Sequence, residues 1–305
     1  MKRENDITTL SIKDEHRILG LSKPAHPLIS VLHFEGIVPQ ETFPERFFFD
    51  FYSISIKKNV KGKLRYGQKH FDFDSGIMTF MSPNQLIARP ADKDENLVGE
   101  GVCLNIHPDF FLGYPLAKTI REYGFFSYEL SEALHLSDSE EKAVLGIMNS
   151  IETEYSNNID RFSQNVMVAQ IELLLQYSDR YYNRQFITRK PSNDQILVRL
   201  ESLLTICFDD KNLAENGLPT VQYVSEQLNV SPNYLSDMLR SITGQTTQQH
   251  IHNKLIEKGK TLLSTTHLSV AEIAYQLGFE YPQSFNKLFK KKESLSPLEF
   301  RASFN

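Results

Sequence analysis

LSVAEIAYQLGFEYPQSFNKLFKKKESLSPLEFR, residues 268–301, is the second of two related stretches near the C-terminal end of this 305-residue chain. The first includes VQYVSEQLNVSPNYLSDMLRSITGQT at 221–246. In the first copy Val221, Val224, Ser225 and Leu228 recur at the spacing that puts side chains on one stripe of a helix. Val270, Ile273, Ala274 and Leu277 repeat the stripe in the second copy. A small residue at its third position, Ser225 or Ala274, lets another helix cross closely, and Asn229 or Gly278 follows where a tight turn needs left-handed backbone. These are the steric requirements of a helix-turn-helix.

A second apolar stripe follows each turn: Leu235, Met238, Leu239 and Ile242 in the first unit, Phe285, Leu288 and Phe289 in the second. These mark the recognition helices. Ser231-Pro232 supplies a hydroxyl cap with proline at the first helical position, whereas Tyr281-Pro282 supplies the proline without a cap. Ile251, Leu255, Leu262 and Leu263 predict a connecting helix over residues 248–263, about 24 Å long, which would hold the units apart rigidly.

Residues 229–246 and 268–301 resemble the paired motifs of the AraC/XylS family of bacterial transcription regulators. The second stretch is the more specific, because Ile273-Ala274, Gly278-Phe279, Ser284-Phe285, Phe289-Lys290 and Ser296-Pro297 fall where that family's signature has such residues. Two positions depart from it: Ser294, where the family commonly has glycine, and Asp237, where a basic residue is frequent. The resemblance covers the last hundred or so residues closely and the remainder loosely.

The chain is 40% hydrophobic and 23% charged, an ordinary globular composition, and is long enough for two domains. MKRENDITTL at the start has no apolar core for a signal peptide, and no run approaches a membrane span, so a cytoplasmic protein without membrane association is expected. Cys103 and Cys207 stand far apart without metal-ligand spacing, which argues against a disulfide framework and a zinc site. The net charge of −5 lies entirely before Ile196, because eleven Lys/Arg balance eleven Asp/Glu from there onward. A neutral domain binds DNA only if its charge is oriented. Lys287, Lys290, Lys291 and Lys292 form such a cluster, while Arg240, Lys254, Lys258 and Lys260 are spread over the first unit and connecting helix.

A polar stretch at 188–195, broken by Pro191 and rich in capping residues, predicts a linker between a domain over 1–187 and one over 196–305, with a helix beginning at Ile196. The earlier domain reads as many short strands, at 47–57, 64–66, 71–73, 77–81 and 97–106, followed by helices over 139–155 and 161–186. The expected fold class is therefore α+β, a small N-terminal β-barrel with helices and an all-α C-terminal domain. The resemblance adds that the barrel is a cupin-like sensor holding a small-molecule effector. His26, His33, His70 and His107 are isolated and form none of the ligand spacing of a metal-dependent cupin enzyme, so no metal, cofactor or catalytic residue is assigned. Phe47, Phe48, Phe49, Phe51 and Tyr52 fit a pocket wall or a core equally. On the helix over 161–186, Val166, Leu173 and Tyr177 form one stripe and Met167, Ile171, Leu174 and Leu175 another; the surplus stripe suits either internal packing or a second subunit. The resemblance implies a homodimer that acts on promoter DNA and RNA polymerase.

The expected function is sequence-specific DNA binding without enzyme activity. Pro232, Asn233, Ser236, Asp237 and Arg240 on the first recognition helix, and Tyr281, Gln283, Ser284, Asn286, Lys287 and Lys290 on the second, are the expected DNA-contacting residues. A protein-interaction adaptor that no longer binds DNA and a metal-dependent cupin enzyme are the rival readings.

Overall fold

The computed structural model describes residues 7–61, 76–88, 98–157, 160–209, 212–213 and 216–303. The chain divides into two compact units, Met1–Gln185 and Phe186–Asn305.

The first unit contains strands β1 (Thr8–Leu10), β2 (Ile29–His33), β3 (Arg46–Phe49), β4 (Tyr52–Lys61), β5 (Ile77–Met81), β6 (Ile87–Ala88), β7 (Val98–Ile106) and β8 (Leu134–His135), with helix α1 (Ile12–Ile18) after β1. They form a three-stranded sheet in the order β1-β3-β6 and a five-stranded sheet in the order β2-β7-β4-β5-β8. Among the described residues the expected barrel is thus two sheets rather than one closed cylinder. The expected single strand over 47–57 is the reason. It breaks at Asp50-Phe51, where the Asp50 N–H donates to the Leu10 carbonyl at 3.1 Å and the chain passes from one sheet to the other. Apolar residues on both faces of that stretch therefore belong to two strands, not to one strand covered twice. The expected strands at 64–66 and 71–73 lie outside the described residues.

The aromatic run fills core. Phe47, Phe49 and Phe51 are buried with Leu10, Ile12 and Ile18, and the Phe49 and Phe51 rings lie 4.5 Å apart. Register in the larger sheet separates two buried faces. Ile54 pairs with Leu104 and Phe80, so these side chains share the apolar face. On the other face Ser53 opposes Asn105, and Ser55 opposes both Cys103 and Thr79. That face is polar although its Ser30, Ser53, Ser55, Cys103 and Asn105 are all buried. Helix α1 covers it with Glu15, whose carboxylate accepts from the Asn105 amide, and with His16, which bonds Ser30 Oγ at 2.6 Å. Burial pushes the Glu15 carboxyl up to about 8, against a smaller opposing pull from the Lys57 ammonium.

The short helix α2 (Leu116–Thr119) is followed by α3 (Asp138–Ser156) and α4 (Ser163–Thr188). The start of α3 is fixed by a capping box of Ser137 and Glu140. On α4, Met167, Ile171, Leu174 and Leu175 are buried, while Val166 and Leu173 remain 40% and 44% exposed. Among the described residues this stripe is thus only partly covered: Val166 and Leu173 are exposed, while Tyr177 is half-buried with its ring 5.6 Å from that of Tyr181. The next helix, α5 (Lys190–Cys207), begins six residues earlier than expected, with Pro191 in its first turn, where a missing N–H costs nothing.

The second unit continues with α6 (Val221–Leu228), α7 (Pro232–Thr243), α8 (Thr247–Thr265), α9 (Val270–Gln276), α10 (Pro282–Glu293) and α11 (Pro297–Ala302). The repeat extends further than the apolar stripes alone reveal. Thr220 and Ser269 cap α6 and α9; Asn229 (φ 56°) and Gly278 (φ 83°) then turn left-handed. The Val230 and Phe279 N–H groups donate back to the Ser225 and Ala274 carbonyls at 3.1 and 3.0 Å. After α7 and α10, Gly244 (φ 75°) and Ser294 (φ 63°) turn left-handed again, and capping boxes at Thr246 and Ser296 start α8 and α11. Ser294 thus occupies a backbone that favours glycine, the physical content of its departure from the family pattern.

Two changes should move stability in opposite directions. Gly278→Ala puts a methyl 3.1 Å from the Leu218 nitrogen at positive φ and should lose about 1–2 kcal/mol or more in chemical denaturation, while Ser294→Gly should gain about 0.5–1 kcal/mol. In the first unit, a folded-state carboxyl raised to about 8 means that Glu15 holds its proton more tightly folded than unfolded. Its stability contribution is present in acid and is lost as pH rises from about 4.5 towards 8. Glu15→Gln, which keeps an acceptor for Asn105, should flatten the melting temperature across that interval; an unchanged pH profile would contradict the buried, protonated carboxyl.

Candidate nucleic-acid interface

In each helix-turn-helix the buried stripe leaves the opposite helix face to solvent. Val224, Ser225 and Leu228 on α6 are buried, as are Leu235, Met238 and Leu239 on α7. Ser225 is fully buried and satisfies its own hydroxyl by donating to the Gln222 carbonyl at 2.8 Å, so it serves as a small crossing residue at no polar cost. Ile242, expected in the same stripe as Leu235, lies in the last turn of α7 and stays 37% exposed, where the chain leaves for α8. Tyr234 is buried instead, its ring edge-on to Phe186 at 5.2 Å. It stands one turn before Met238 on the same face, a spacing from which its burial was readable.

The second unit has an aromatic core. Phe285 and Phe289 are fully buried and 5.5 Å apart, and Phe289 meets Phe300 of α11 at 5.3 Å. Gly259 on α8 makes room for this: a Cβ there would lie 3.1 Å from the Phe285 ring. Helix α8 spans 19 residues, about 28 Å, rather than the shorter connector expected. It is tied to what precedes and follows it. Asn253 donates to Gln245 Oε1 at 2.7 Å and accepts from Lys292 at 2.8 Å; Lys260 pairs with Glu293 at 2.5 Å. Periodicity says only that such positions are polar, so these ties were missed in the sequence.

On α7, Asn233 and Arg240 are exposed, and Pro232, Ser236 and Asp237 are partly buried. Ser236 turns to the start of α8, with its hydroxyl 3.0 Å from that of Thr247. Asp237 and Arg240, one turn apart, lie 3.3 Å from each other. On α10, Gln283, Ser284, Asn286, Lys287 and Lys290 are all exposed, and Tyr281 precedes them with its ring 59% exposed. Lys291 is exposed beside them. The corresponding positions 237 and 287 thus carry opposite charges, and α10 is the basic member of the pair. That field reaches α8: burial first, then Lys292 and Lys291, hold His252 below the usual imidazole range.

In the first unit the isolated histidines have local roles. His26 packs edge-on to Phe110 at 5.7 Å, His33 lies 2.9 Å from Glu152, and His107 caps the turn at Pro108–Phe111. His70 lies outside the described residues. Among the described residues no three His, Cys, Asp or Glu side chains are grouped as ligands of a metal ion, and no helix is long and apolar enough to cross a membrane.

A family model described as a helix-turn-helix domain matches residues 224–303. The uncharacterized HTH-type transcriptional regulator YisR of Bacillus subtilis is 34% identical over 82 residues, 27% of this chain and 29% of that protein. The arabinose operon regulatory protein of Escherichia coli is 34% identical over 79 residues, 26% of this chain and 27% of that protein. The solved C-terminal domain of the two-component response regulator yesN from Fusobacterium nucleatum is 36% identical, covers 30% of this chain and 93% of that chain, and has a TM-score of 0.27. This chain covers 29% and 27% of the length of the two curated relatives, and the shared region is the C-terminal one. Duplicated helix-turn-helix units, matched turns and this sequence similarity agree that residues 224–303 form a helix-turn-helix domain similar to those of these transcription regulators.

Proposed function

We propose that this protein is a sequence-specific transcription regulator that reads the major groove of double-stranded promoter DNA with α7 and α10. The observation that carries this reading is the pair of helices whose inner faces are buried in a helix-turn-helix and whose outer faces present Asn233, Asp237 and Arg240 in one and Gln283, Ser284, Asn286, Lys287 and Lys290 in the other. Asn and Gln suit adenine, and Arg and Lys suit guanine or phosphate. Pro232 and Tyr281 stand at the helix starts, the ends that approach base edges in such motifs. Ser236, bonded to Thr247, supports the helix from beside the readers. The two contacts fall about 34 Å apart on one DNA face, one helical turn. The lysines of α10 make it the phosphate-gripping helix, and the near-neutral α7 contributes more selectivity than affinity.

Residues 1–187 act as a sensing and dimerisation domain, 188–195 as the connection and 196–305 as the DNA-binding domain. A small effector held by the first unit is part of this reading, and the exposed Val166 and Leu173 of α4 support a homodimer. Such a regulator works in the cytoplasm, contacts RNA polymerase and carries no catalytic chemistry.

Selection from a random duplex library with the full chain at two salt concentrations should enrich a bipartite site with halves one turn apart; failure to enrich any site favours the adaptor reading. On the selected site, Lys287→Ala should weaken binding evenly across sequences and reduce the salt slope by about one, while Gln283→Ala should cost about 1–3 kcal/mol at one base position. In sedimentation, Leu173→Arg should shift the chain from dimer to monomer, and an unaltered dimer would place the interface elsewhere.

A further inference from the structure

Asp237 is the unexpected group on the outer face of α7. A carboxylate held towards DNA is repelled by phosphate, and the corresponding position in the second unit is a lysine, Lys287. The geometry gives it a task. Asp237 Oδ1 lies 3.3 Å from Arg240 Nη1, and the Arg240 side chain is 61% exposed while that of Asp237 is 30% exposed. The carboxylate is thus the better anchored partner, and the guanidinium is the one that reaches outward.

We infer that Asp237 is a positioning residue that holds the Arg240 guanidinium on the outer face of α7 and thereby sets a guanine preference at one base pair; this rests on the reading of α7 as a recognition helix. A guanidinium has five N–H donors in a rigid plane, so bonding one of them to a carboxylate leaves others to pair with the O6 and N7 of guanine. An unrestrained arginine would scatter over many rotamers and find phosphate as readily as a base. The pair also cancels its own charge, so α7 loses general attraction for the backbone and keeps the directional contact. At the corresponding positions α10 has Lys287 and Lys290, two cations that repel rather than restrain each other.

The test uses the full chain as wild type, Asp237→Asn, Asp237→Glu, Arg240→Ala and the Asp237→Asn/Arg240→Ala double variant. Base preferences come from duplex selection and affinities from titration of the selected site and its single-base variants at two salts, with melting curves to confirm that all five fold. In the expected result, wild type prefers G·C at one position and Arg240→Ala abolishes that preference. Asp237→Asn binds non-target DNA more tightly yet loses about tenfold of the discrimination at that base pair alone, the low end of the worth of a bidentate arginine–guanine pair. Asp237→Glu restores part of it, and Asp237→Asn changes nothing further once Arg240 is absent. Unchanged discrimination in Asp237→Asn overturns the inference. So does an equal loss with Arg240 absent, which would make Asp237 itself the reader, accepting from cytosine. A wild type that enriches no site overturns the DNA-reading assignment and this inference with it, and is separable from the other outcomes because the wild type alone decides it.

Discussion

The second unit depends on a close helix crossing made twice. At Ser225 and at Ala274 a small buried side chain lets the following helix approach, and the carbonyl of that same residue receives the N–H that closes the left-handed turn at Asn229 or Gly278. A larger side chain would separate the helices, and a residue intolerant of positive φ would leave the turn open. Once crossing and turn are fixed, so is the rotation of α7 and α10, and with it the division between residues that pack and residues that face outward. The hydrophobic stripes then supply the energy, at roughly 25 cal/mol for each Å² of apolar surface removed from water.

The two repeats meet the same constraint with different materials. The first packs Leu235, Met238 and Leu239 and spreads few charges over its outer face, whereas the second packs Phe285 and Phe289 and carries the lysines. Gly259 accompanies the aromatic choice on α8, since a Cβ there would lie 3.1 Å from the Phe285 ring, closer than ordinary van der Waals contact. In the first unit the balance is reversed: the larger sheet has a conventional apolar face and a second buried face lined with hydroxyls, a thiol and an amide. Burying such groups is tolerable only because they bond one another, as Cys103 does with Ser53 and Asn105, each at 3.2 Å. The Cys103 thiol, pushed up to about 12 mainly by burial, is a hydrogen-bonding member of that face and not a reactive thiolate.

Local steric rules account for what was legible. Helix periodicity, capping residues and turn residues are nearest-neighbour effects, so the apolar stripes of α6, α7, α9 and α10, the Ser231-Pro232 start and the left-handed turns at Asn229 and Gly278 could be read from the sequence, and the similarity to known proteins lies in this region. The outward placement of Asn233, Arg240 and Gln283 followed from the same periodicity. What was not legible involved partners distant in the chain. Nothing near Asp50 announces that its strand changes sheets, because the hydrogen bond at the change is donated by the Asp50 N–H to the distant Leu10 carbonyl. The 3.0 Å contact of the Ser236 hydroxyl with Thr247 and the cover that Phe186 gives Tyr234 likewise depend on partners that helix periodicity does not name.

By itself the sequence determined a two-part α+β protein ending in duplicated helix-turn-helix units, because stripe spacing, small crossing residues and left-handed turn residues are properties of a few consecutive positions. Only the tertiary structure decided that the aromatic run is core, that one buried sheet face is polar, that Val166 and Leu173 of α4 are exposed, and that Asp237 and Arg240 stand together on the outward face. Alternation along a strand says which side chains share a face, but what covers that face is set by the elements folded onto it.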